Sequence, residues 1–296
     1  MSTRIQLISW NVHGPGPAPR VIPRMRAVAK ELARRSPDIA LLQEVWTPAQ
    51  ADLIGATLKS RYARIDTPPG GGLGRIAGLL AFVSRASGWR VTHHRFEPFS
   101  QSAPSWKVWE GDGLGRKGLL SLELQRNGEH LVVVNTHLQA SYSPGGYTEV
   151  RRAQLAQLSR TTQSVAAGVP VLVAGDLNIG ASEPLYPEIE RHFVDLSAAY
   201  RERCGCGTSV GSGAWIDYVL VRRDPAWSAA ATVERIVSTR SDYPYSDHQG
   251  LDVAVELTRG AGAGLEPSER ASQALWGPST RRAWLRAALA TARRLL

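Results

Sequence analysis

Carboxylate, amide and imidazole side chains follow several apolar segments of this sequence. The clearest case is the Val-rich segment 169–174, which leads through Gly175 to Asp176 and Asn178. Such a segment predicts a buried strand, and two residues spaced this way in extended geometry project to the same side. A carboxylate and an amide placed together could orient a water molecule and bind a phosphoryl oxygen. Glycine, aspartate and asparagine are also ordinary turn residues, so a simple turn is the alternative.

Other predicted strands carry similar residues, and each residue alone has a plainer explanation in a turn, on the surface or in the core. The whole set is Asn11, Glu44, His137, Asp176 with Asn178, Asp217, and Asp247 with His248. Glu44 is a hard oxygen ligand of the kind that holds Mg²⁺. Asp217 lies inside an apolar strand, where an acid needs a partner such as a histidine or a metal-bound water. Together these residues supply the cation, base and donors that phosphodiester cleavage requires.

The elements around these residues predict one α/β domain. Hydrophobic spacing favours helices over 22–32, 48–59 and 149–167, with strands between them. In the first helix the apolar side comprises Ile22, Met25, Val28 and Leu32, and the expected solvated face comprises Arg24, Arg26, Lys30 and Arg34.

Composition limits which kinds of partner and which cellular location are expected for this protein. The chain has 296 residues, is 43% hydrophobic and carries a net charge of +9, which favours nucleic acid, an acidic membrane or a phosphorylated substrate as partner. No signal peptide or membrane span is evident, which predicts a cytoplasmic protein. Cys204 and Cys206 are predicted to be free thiols, because one intervening residue leaves them too close for an ordinary bridge.

Six motifs occur in order between residues 7 and 248: Trp10-Asn11, Gln43-Glu44, Asn135-Thr136-His137-Leu138, Gly175-Asp176-Leu177-Asn178, Ile216-Asp217-Tyr218-Val219 and Ser246-Asp247-His248. This ordered set resembles the endonuclease/exonuclease/phosphatase superfamily of Mg²⁺-dependent phosphoesterases, which includes DNase I and the neutral sphingomyelinases. The resemblance implies a four-layer α/β/β/α sandwich of two packed, mainly antiparallel sheets flanked by helices. It also implies a site where the strand ends of the two sheets meet.

The resemblance implies roles for individual residues. Glu44, supported by Asn11 and Asp247, would hold Mg²⁺, with Mn²⁺ or Co²⁺ as possible substitutes. His248 would be the base that takes a proton from water, oriented by Asp217 or Asp247.

Further residues would act on the phosphate. His137 would bind the developing charge or assist the leaving group, while Asp176 and Asn178 would position nucleophile and phosphate. Lys117 is expected to pair with Asp112 at rest and to move to the site when a lipid docks.

Within the superfamily the sequence is most similar to the neutral sphingomyelinases, on the segments 41–46, 136–142 and 216–220 and on Lys117-Gly118-Leu119-Leu120. This similarity implies a membrane phospholipid as substrate, cleaved to ceramide or diacylglycerol and a phosphorylated head group. A nuclease acting on nucleic acid is the main alternative, and a catalytically silent binding module is the third. No obligate protein partner is evident.

The predicted phosphodiesterase domain covers 1–258, followed by a Gly/Ala-rich linker over 259–268 and a basic amphipathic helix over 269–296. An arginine-rich helix with Trp284 at its edge suits the interface of an anionic membrane, which would make the protein peripheral. Packing of this helix on the protein's own body is the alternative. Trp106 and Trp109 could serve as a second membrane-inserting segment.

Overall fold

The computed structural model describes residues 2–15, 18–67, 77–103, 116–141, 146–238 and 244–260. The strands are β1 (Ser2–Asn11), β2 (Ile39–Val45), β3 (Tyr62–Asp66), β4 (Gly78–Ser84), β5 (Arg90–Pro98), β6 (Gly118–Arg126), β7 (Glu129–His137), β8 (Val171–Asp176), β9 (Phe193–Asp195), β10 (Asp217–Arg222), β11 (Trp227–Ile236) and β12 (Gly250–Arg259). The helices are α1 (Val21–Arg35), α2 (Pro48–Leu58), α3 (Thr148–Gln163), α4 (Tyr186–His192) and α5 (Ala198–Cys204). Within these ranges no helix has the length and apolar character needed to cross a membrane.

The strands form two six-stranded mixed sheets. The first has the order β11-β12-β1-β2-β4-β3 and the second the order β5-β6-β7-β8-β10-β9. Each sheet contains one parallel pair, β1 with β2 and β7 with β8. Parallel neighbours end at the same edge of a sheet, so Asn11 and Glu44 share one edge, and His137 and Asp176 share another. The predicted sandwich of two mainly antiparallel sheets flanked by helices is confirmed.

Alternation along the strands separates two apolar clusters. Side chains such as Leu7 of β1 and Leu41 of β2 lie in the larger cluster, together with residues of the second sheet. Their sequence neighbours, Ile8 and Leu42, point the other way and pack with residues of α1 and α2. Successive residues of a strand face opposite sides of the sheet, so β1 and β2 are buried on both faces. The site is therefore built on strand ends fixed by packing.

The start of α2 shows how local sequence positions an element. The Thr47 side-chain oxygen caps the helix by accepting from the backbone nitrogen of Gln50. The Gln50 side-chain oxygen in turn accepts from the Thr47 backbone nitrogen, and Pro48 lies in the first turn. This reciprocal capping box satisfies donors that a helix start leaves unpaired. Gln50 also donates to the carbonyl of Gly14, 2.6 Å away, which ties α2 to the loop that follows Asn11.

The prediction that Arg24 lies on the solvated face of α1 is wrong. Arg24 is buried, and its guanidinium donates to the carbonyl oxygens of Val12 at 2.9 Å, His13 at 2.6 Å and Pro19 at 2.8 Å. The β1–α1 loop presents these carbonyls to the helix, and Arg24 supplies the donors they need. Ile22, expected on the apolar side, is 58% exposed, because burial along α1 begins only at Arg24.

The prediction of free thiols is also wrong, since Cys204 and Cys206 form a disulfide. Gly205 ends α5 in the left-handed conformation, with φ of 57°. This turn brings the two cysteine Cα atoms to 5.1 Å, which a disulfide can span. Of the predicted linker and C-terminal helix, only Arg259 and Gly260 are among the described residues, and Arg259 still belongs to β12.

Candidate active site

One buried amide joins the two sheets where their parallel strands end. The side-chain nitrogen of Asn11 donates to Glu44 Oε1 at 2.9 Å and to Asp176 Oδ2 at 3.0 Å. Asn11 and Glu44 belong to the first sheet and Asp176 to the second. Behind this contact, Gln43 donates to the side-chain oxygen of Asn135 at 2.8 Å, which adds a second polar bridge between the sheets. The strand ends that the sequence pattern singled out therefore converge at one junction.

A β-bulge turns the Glu44 side chain toward this junction. The register of β2 with β4 shifts between Gln43 and Val45, and Glu44 adopts the left-handed conformation with φ of 61°. A bulge residue is released from the ladder and can be aimed away from its strand. Gly14 packs against it so closely that a Cβ on Gly14 would lie 2.0 Å from the Glu44 carbonyl oxygen. Left-handed backbone at a non-glycine residue is a form of strain found at functional sites.

His248 and Asp217 form a hydrogen-bonded pair beside Asp176. His248 Nδ1 lies 2.8 Å from Asp217 Oδ2, and His248 Nε2 lies 3.8 Å from Asp176 Oδ2. Asp217 begins β10 directly opposite Asp176 at the end of β8. Within the described part of the chain, these three residues also satisfy the spacing of a metal site, since one ligand atom from each lies within 4.8 Å of the others.

The carbonyl oxygen of Leu138 accepts hydrogen bonds from two side-chain nitrogens of the site. Lys117 Nζ donates to it at 2.8 Å, and Asn178 Nδ2 donates to it at 3.1 Å. Lys117 Nζ also lies 3.0 Å from His137 Nε2, which in turn lies 3.5 Å from Asp176 Oδ2. Asn178 adopts the left-handed conformation, and its backbone nitrogen donates to Asp176 Oδ1 at 2.8 Å. The Lys117 amino group, the His137 imidazole and the Asn178 amide thus lie together on one side of Asp176.

Burial and charge shift the ionisation of these groups. Burial raises the pKa of Glu44, and it raises the pKa of Asp176 to about 7 with help from the charge of Asp217. Burial works against a charged His248, yet the carboxylates of Asp217 and Asp176 hold the pKa of His248 well above its usual value. Burial, with the charges of Lys117 and His248, lowers the pKa of His137 well below its usual value, which favours the neutral imidazole.

Asp247 lies at the rim. Its side chain is 50% exposed, and its Oδ2 lies 3.0 Å from His13 Nδ1. Burial works to raise the pKa of Asp247, but the hydrogen bond from His13 and the charge of His248 lower it. Ser246 fixes this segment by donating to the carbonyl of Asn11 at 2.7 Å.

Sequence reasoning did not identify His13, although the residue follows Asn11 closely in the sequence. The His13 backbone nitrogen donates to the Asn11 side-chain oxygen at 3.0 Å, which places the His13 ring beside Asp247. A histidine in a Gly/Pro-rich loop next to a predicted ligand was the available signal. The predicted pairing of Lys117 with Asp112 lies outside the described residues, as do Trp106 and Trp109.

Known proteins are similar to this chain in sequence and in fold. An inositol phosphosphingolipids phospholipase C of Schizosaccharomyces pombe is 30% identical over 164 residues, which cover 53% of this chain and 36% of that protein. Human tyrosyl-DNA phosphodiesterase 2 is 27% identical over 173 residues, which cover 58% of this chain and 41% of that protein. The matches thus span only about two fifths of these relatives' length at most.

A solved structure and a family model extend the similarity to most of the chain. The crystal structure of sphingomyelinase C from Streptomyces griseocarneus superposes with a TM-score of 0.62 at 18% identity, covering 85% of this chain and 99% of that one. The model of the Endonuclease/Exonuclease/phosphatase family matches residues 8–248, which include every motif of the junction. The chain therefore belongs to the endonuclease/exonuclease/phosphatase family.

Proposed function

We propose that this protein is a divalent-cation-dependent phosphodiesterase of the sphingomyelinase C type. Its substrate would be sphingomyelin or a related phospholipid, cleaved to ceramide or diacylglycerol and a phosphorylated head group. One observation supports this most strongly, namely the junction at which Asn11 joins Glu44 to Asp176 beside the His248–Asp217 pair. There, carboxylates that would hold a cation lie next to an imidazole that would act as the base and next to several nitrogen donors.

The donor set fits a hard divalent cation. Glu44 and Asp247 offer carboxylate oxygens, and Asn11 offers an amide group, which are the ligands that Mg²⁺ prefers. Burial raises the pKa values of Glu44 and Asp176, so a cation bound beside them would stabilise their ionised forms. Glu44, Asn11 and Asp247 would hold the cation, and Mn²⁺ or Co²⁺ could replace Mg²⁺. When bound, the cation would offset negative charge on the phosphoryl oxygens.

The histidine and its partner would activate water. Asp217 accepts from His248 Nδ1, which fixes the ring and leaves Nε2 directed toward Asp176. In its neutral form, Nε2 would take a proton from a water molecule as the water oxygen bonds to phosphorus. The bond from phosphorus to the lipid alcohol oxygen breaks in the same reaction. That oxygen gains a proton from solvent water, and His248 returns its proton to solvent.

The nitrogen donors would bind the phosphoryl group. Lys117 and Asn178 already converge on the Leu138 carbonyl, and neutral His137 lies next to Lys117. Donors placed where charge develops stabilise the transition state more than the substrate. In this proposal Asp176 accepts from Asn11 and the Asn178 backbone, and so keeps these donors in position.

A phospholipid is favoured by the sphingomyelinase-like segments of the sequence and by the phospholipase C relative. Nucleic acid is the second candidate, favoured by the net charge of +9 and by the tyrosyl-DNA phosphodiesterase relative. The same protein preparation separates the two. With Mg²⁺, we expect it to release the head group from sphingomyelin vesicles without nicking supercoiled plasmid or cleaving a tyrosyl-DNA oligonucleotide.

Two variants make this assay specific. His248→Ala should abolish lipid hydrolysis, whereas His94→Ala, on the exposed part of β5, should retain it. If the wild type cleaves either DNA substrate but hydrolyses no lipid, and His248→Ala loses that cleavage, the protein is a nuclease. Vesicle hydrolysis that survives in His248→Ala would contradict the proposed base.

A further inference from the structure

The segment between α5 and β10 bonds to Asp217 through Thr208 and to the residues on both sides of His248 through its backbone. Thr208 is completely buried. Its side-chain oxygen accepts from the backbone nitrogens of Ile216 at 3.0 Å and Asp217 at 3.1 Å. The backbone N–H groups of two consecutive residues, where β10 begins, thus donate to one hydroxyl oxygen. This contact fixes the backbone that carries the Asp217 carboxylate.

The backbone of the same segment holds the other member of the pair. The Thr208 carbonyl accepts from the Gln249 nitrogen at 2.8 Å, and the Val210 nitrogen donates to the Asp247 carbonyl at 2.8 Å. Between these two bonds, Ser209 forms an antiparallel bridge with His248. The backbone on both sides of His248 is therefore bonded to residues 208 and 210.

The segment itself is a tight turn. Thr208 and Ser209 both donate backbone bonds to the Ala214 carbonyl at 3.0 Å. Gly207 approaches Gly213 so closely that a Cβ there would lie 1.9 Å from the Gly213 carbonyl oxygen. Arg235 of β11 also donates to the Gly207 carbonyl at 2.7 Å. Because the turn is fixed at several points, Thr208 can act as a rigid connection.

We propose that Thr208 is a positioning residue that sets the distance and orientation between Asp217 and His248. Its hydroxyl fixes Asp217 and its carbonyl fixes the residue after His248, so one residue connects the two segments that carry the pair. The kinetic part of this proposal rests on the proposed phosphodiesterase function, but the positioning itself does not. Active-site geometry must be held closely, and small displacements cost large factors in rate.

The test compares Thr208→Val, which keeps the shape and loses the hydroxyl, with Thr208→Ser, which keeps the hydroxyl. Thr162→Val is the matched control, because Thr162 is a fully buried threonine of α3 whose hydroxyl bonds to carbonyls of its own helix. Thr208→Ala serves as a second variant that removes the hydroxyl should Thr208→Val fail to fold. Each variant is assayed with Mg²⁺ and sphingomyelin vesicles for kcat and KM.

A second readout is independent of activity. The His248 Nδ1 proton is followed by NMR in the metal-free protein and assigned by its loss in His248→Gln. We expect Thr208→Val to lower kcat by on the order of 10²-fold with little change in KM. We also expect it to lose the Nδ1 proton signal through exchange with water, while Thr208→Ser and Thr162→Val keep both.

The two readouts distinguish the possible failures. A wild-type Nδ1 signal that persists unchanged in folded Thr208→Val, or in Thr208→Ala, would overturn the positioning role. Equal losses in Thr208→Val and Thr162→Val would do the same, since any buried hydroxyl would then suffice. If the signal depends on Thr208 but the wild type hydrolyses no phosphodiester, the proposed function fails and the positioning role stands.

Discussion

Asn11 Nδ2 lies 3.0 Å from Asp176 Oδ2, although the two residues belong to different sheets and are separated by 165 positions in the chain. The same nitrogen donates to Glu44 at 2.9 Å. A single amide therefore bonds to two carboxylates, half-buried Glu44 and buried Asp176, that would otherwise repel each other at close range. The face-to-face packing of the sheets creates this contact, and the proposed cation site depends on it.

Replacement of Asn11 by alanine should weaken cation binding. The change removes a proposed ligand and leaves Glu44 and Asp176 without the donor they share. We expect Mg²⁺ to bind about 10- to 100-fold more weakly, as measured by titration calorimetry. Gln163→Ala, at the exposed end of α3, is the control and should bind as the wild type does. Unchanged affinity in Asn11→Ala would place the cation elsewhere.

In metal-free protein the His248–Asp217 pair should make stability depend on pH. The folded-state pKa of His248 lies above the ~6.5 of an unfolded chain, so its contribution is fully present below about pH 6.5 and is lost as the pH rises through the folded-state value. The pKa of Asp176 is raised to about 7 in the folded protein, so the contribution of Asp176 to the free energy of unfolding is also lost as the pH rises to that value.

Denaturant unfolding in EDTA tests this with Asp217→Asn as the comparison. The free energy of unfolding of the wild type should exceed that of Asp217→Asn by roughly 1–3 kcal/mol near pH 6, and the difference should shrink at higher pH. A difference in the free energy of unfolding that stays constant as the pH rises would show that Asp217 does not raise the pKa of His248.

Two arginines of α1 should differ sharply in their effect on stability. Arg24 is buried on carbonyls of the β1–α1 loop, whereas Arg26 is exposed on the same helix. Arg24→Met should lower the free energy of unfolding by about 2–4 kcal/mol, because it leaves several buried carbonyls without donors. Arg26→Met should change it by no more than about 0.5 kcal/mol. Similar values for both in a denaturant titration would argue against the buried position of Arg24.

Reduction of the disulfide should have a small effect on stability. The Cys204–Cys206 bridge closes a very short loop, and the chain-entropy argument gives about 1–2 kcal/mol for a loop of this length. Mass spectrometry after alkylation, with and without prior reduction, would show whether the bond is present. Thermal melting of Cys204→Ser would then measure its contribution. Labelling of both thiols in unreduced protein would show that the two cysteines are free, as their spacing suggested.

The strands and the residues at their ends were predictable because each signal is local. An apolar segment that stops at an acid or amide marks the place where a strand leaves the core, as at Asp176. The strand β11 was missed, since its outward residues, such as Ala230 and Thr232, are small or polar and are exposed at a sheet edge. Edge strands carry a weak alternation of this kind.

Contacts that depend on tertiary structure could not be inferred from spacing. Periodicity places Arg24 on the polar side of α1, but the loop carbonyls that bury it come from the β1–α1 connection. The backbone conformations of Glu44 and Gly205 are likewise set by a bulge and by a helix end. Thr208 lies in a turn without regular structure, so no pattern in the sequence connects it to Asp217.

Whether the protein cleaves phospholipid through a cation held by Glu44 is tested most directly by head-group release from sphingomyelin vesicles. Wild type and Glu44→Gln are compared in Mg²⁺ and in EDTA. Glu44→Gln keeps the shape of the side chain and removes the charge that would hold the cation. We expect release by the wild type in Mg²⁺ alone, and almost none by Glu44→Gln in either condition. Equal release by the two proteins, or release that persists in EDTA, would contradict this expectation.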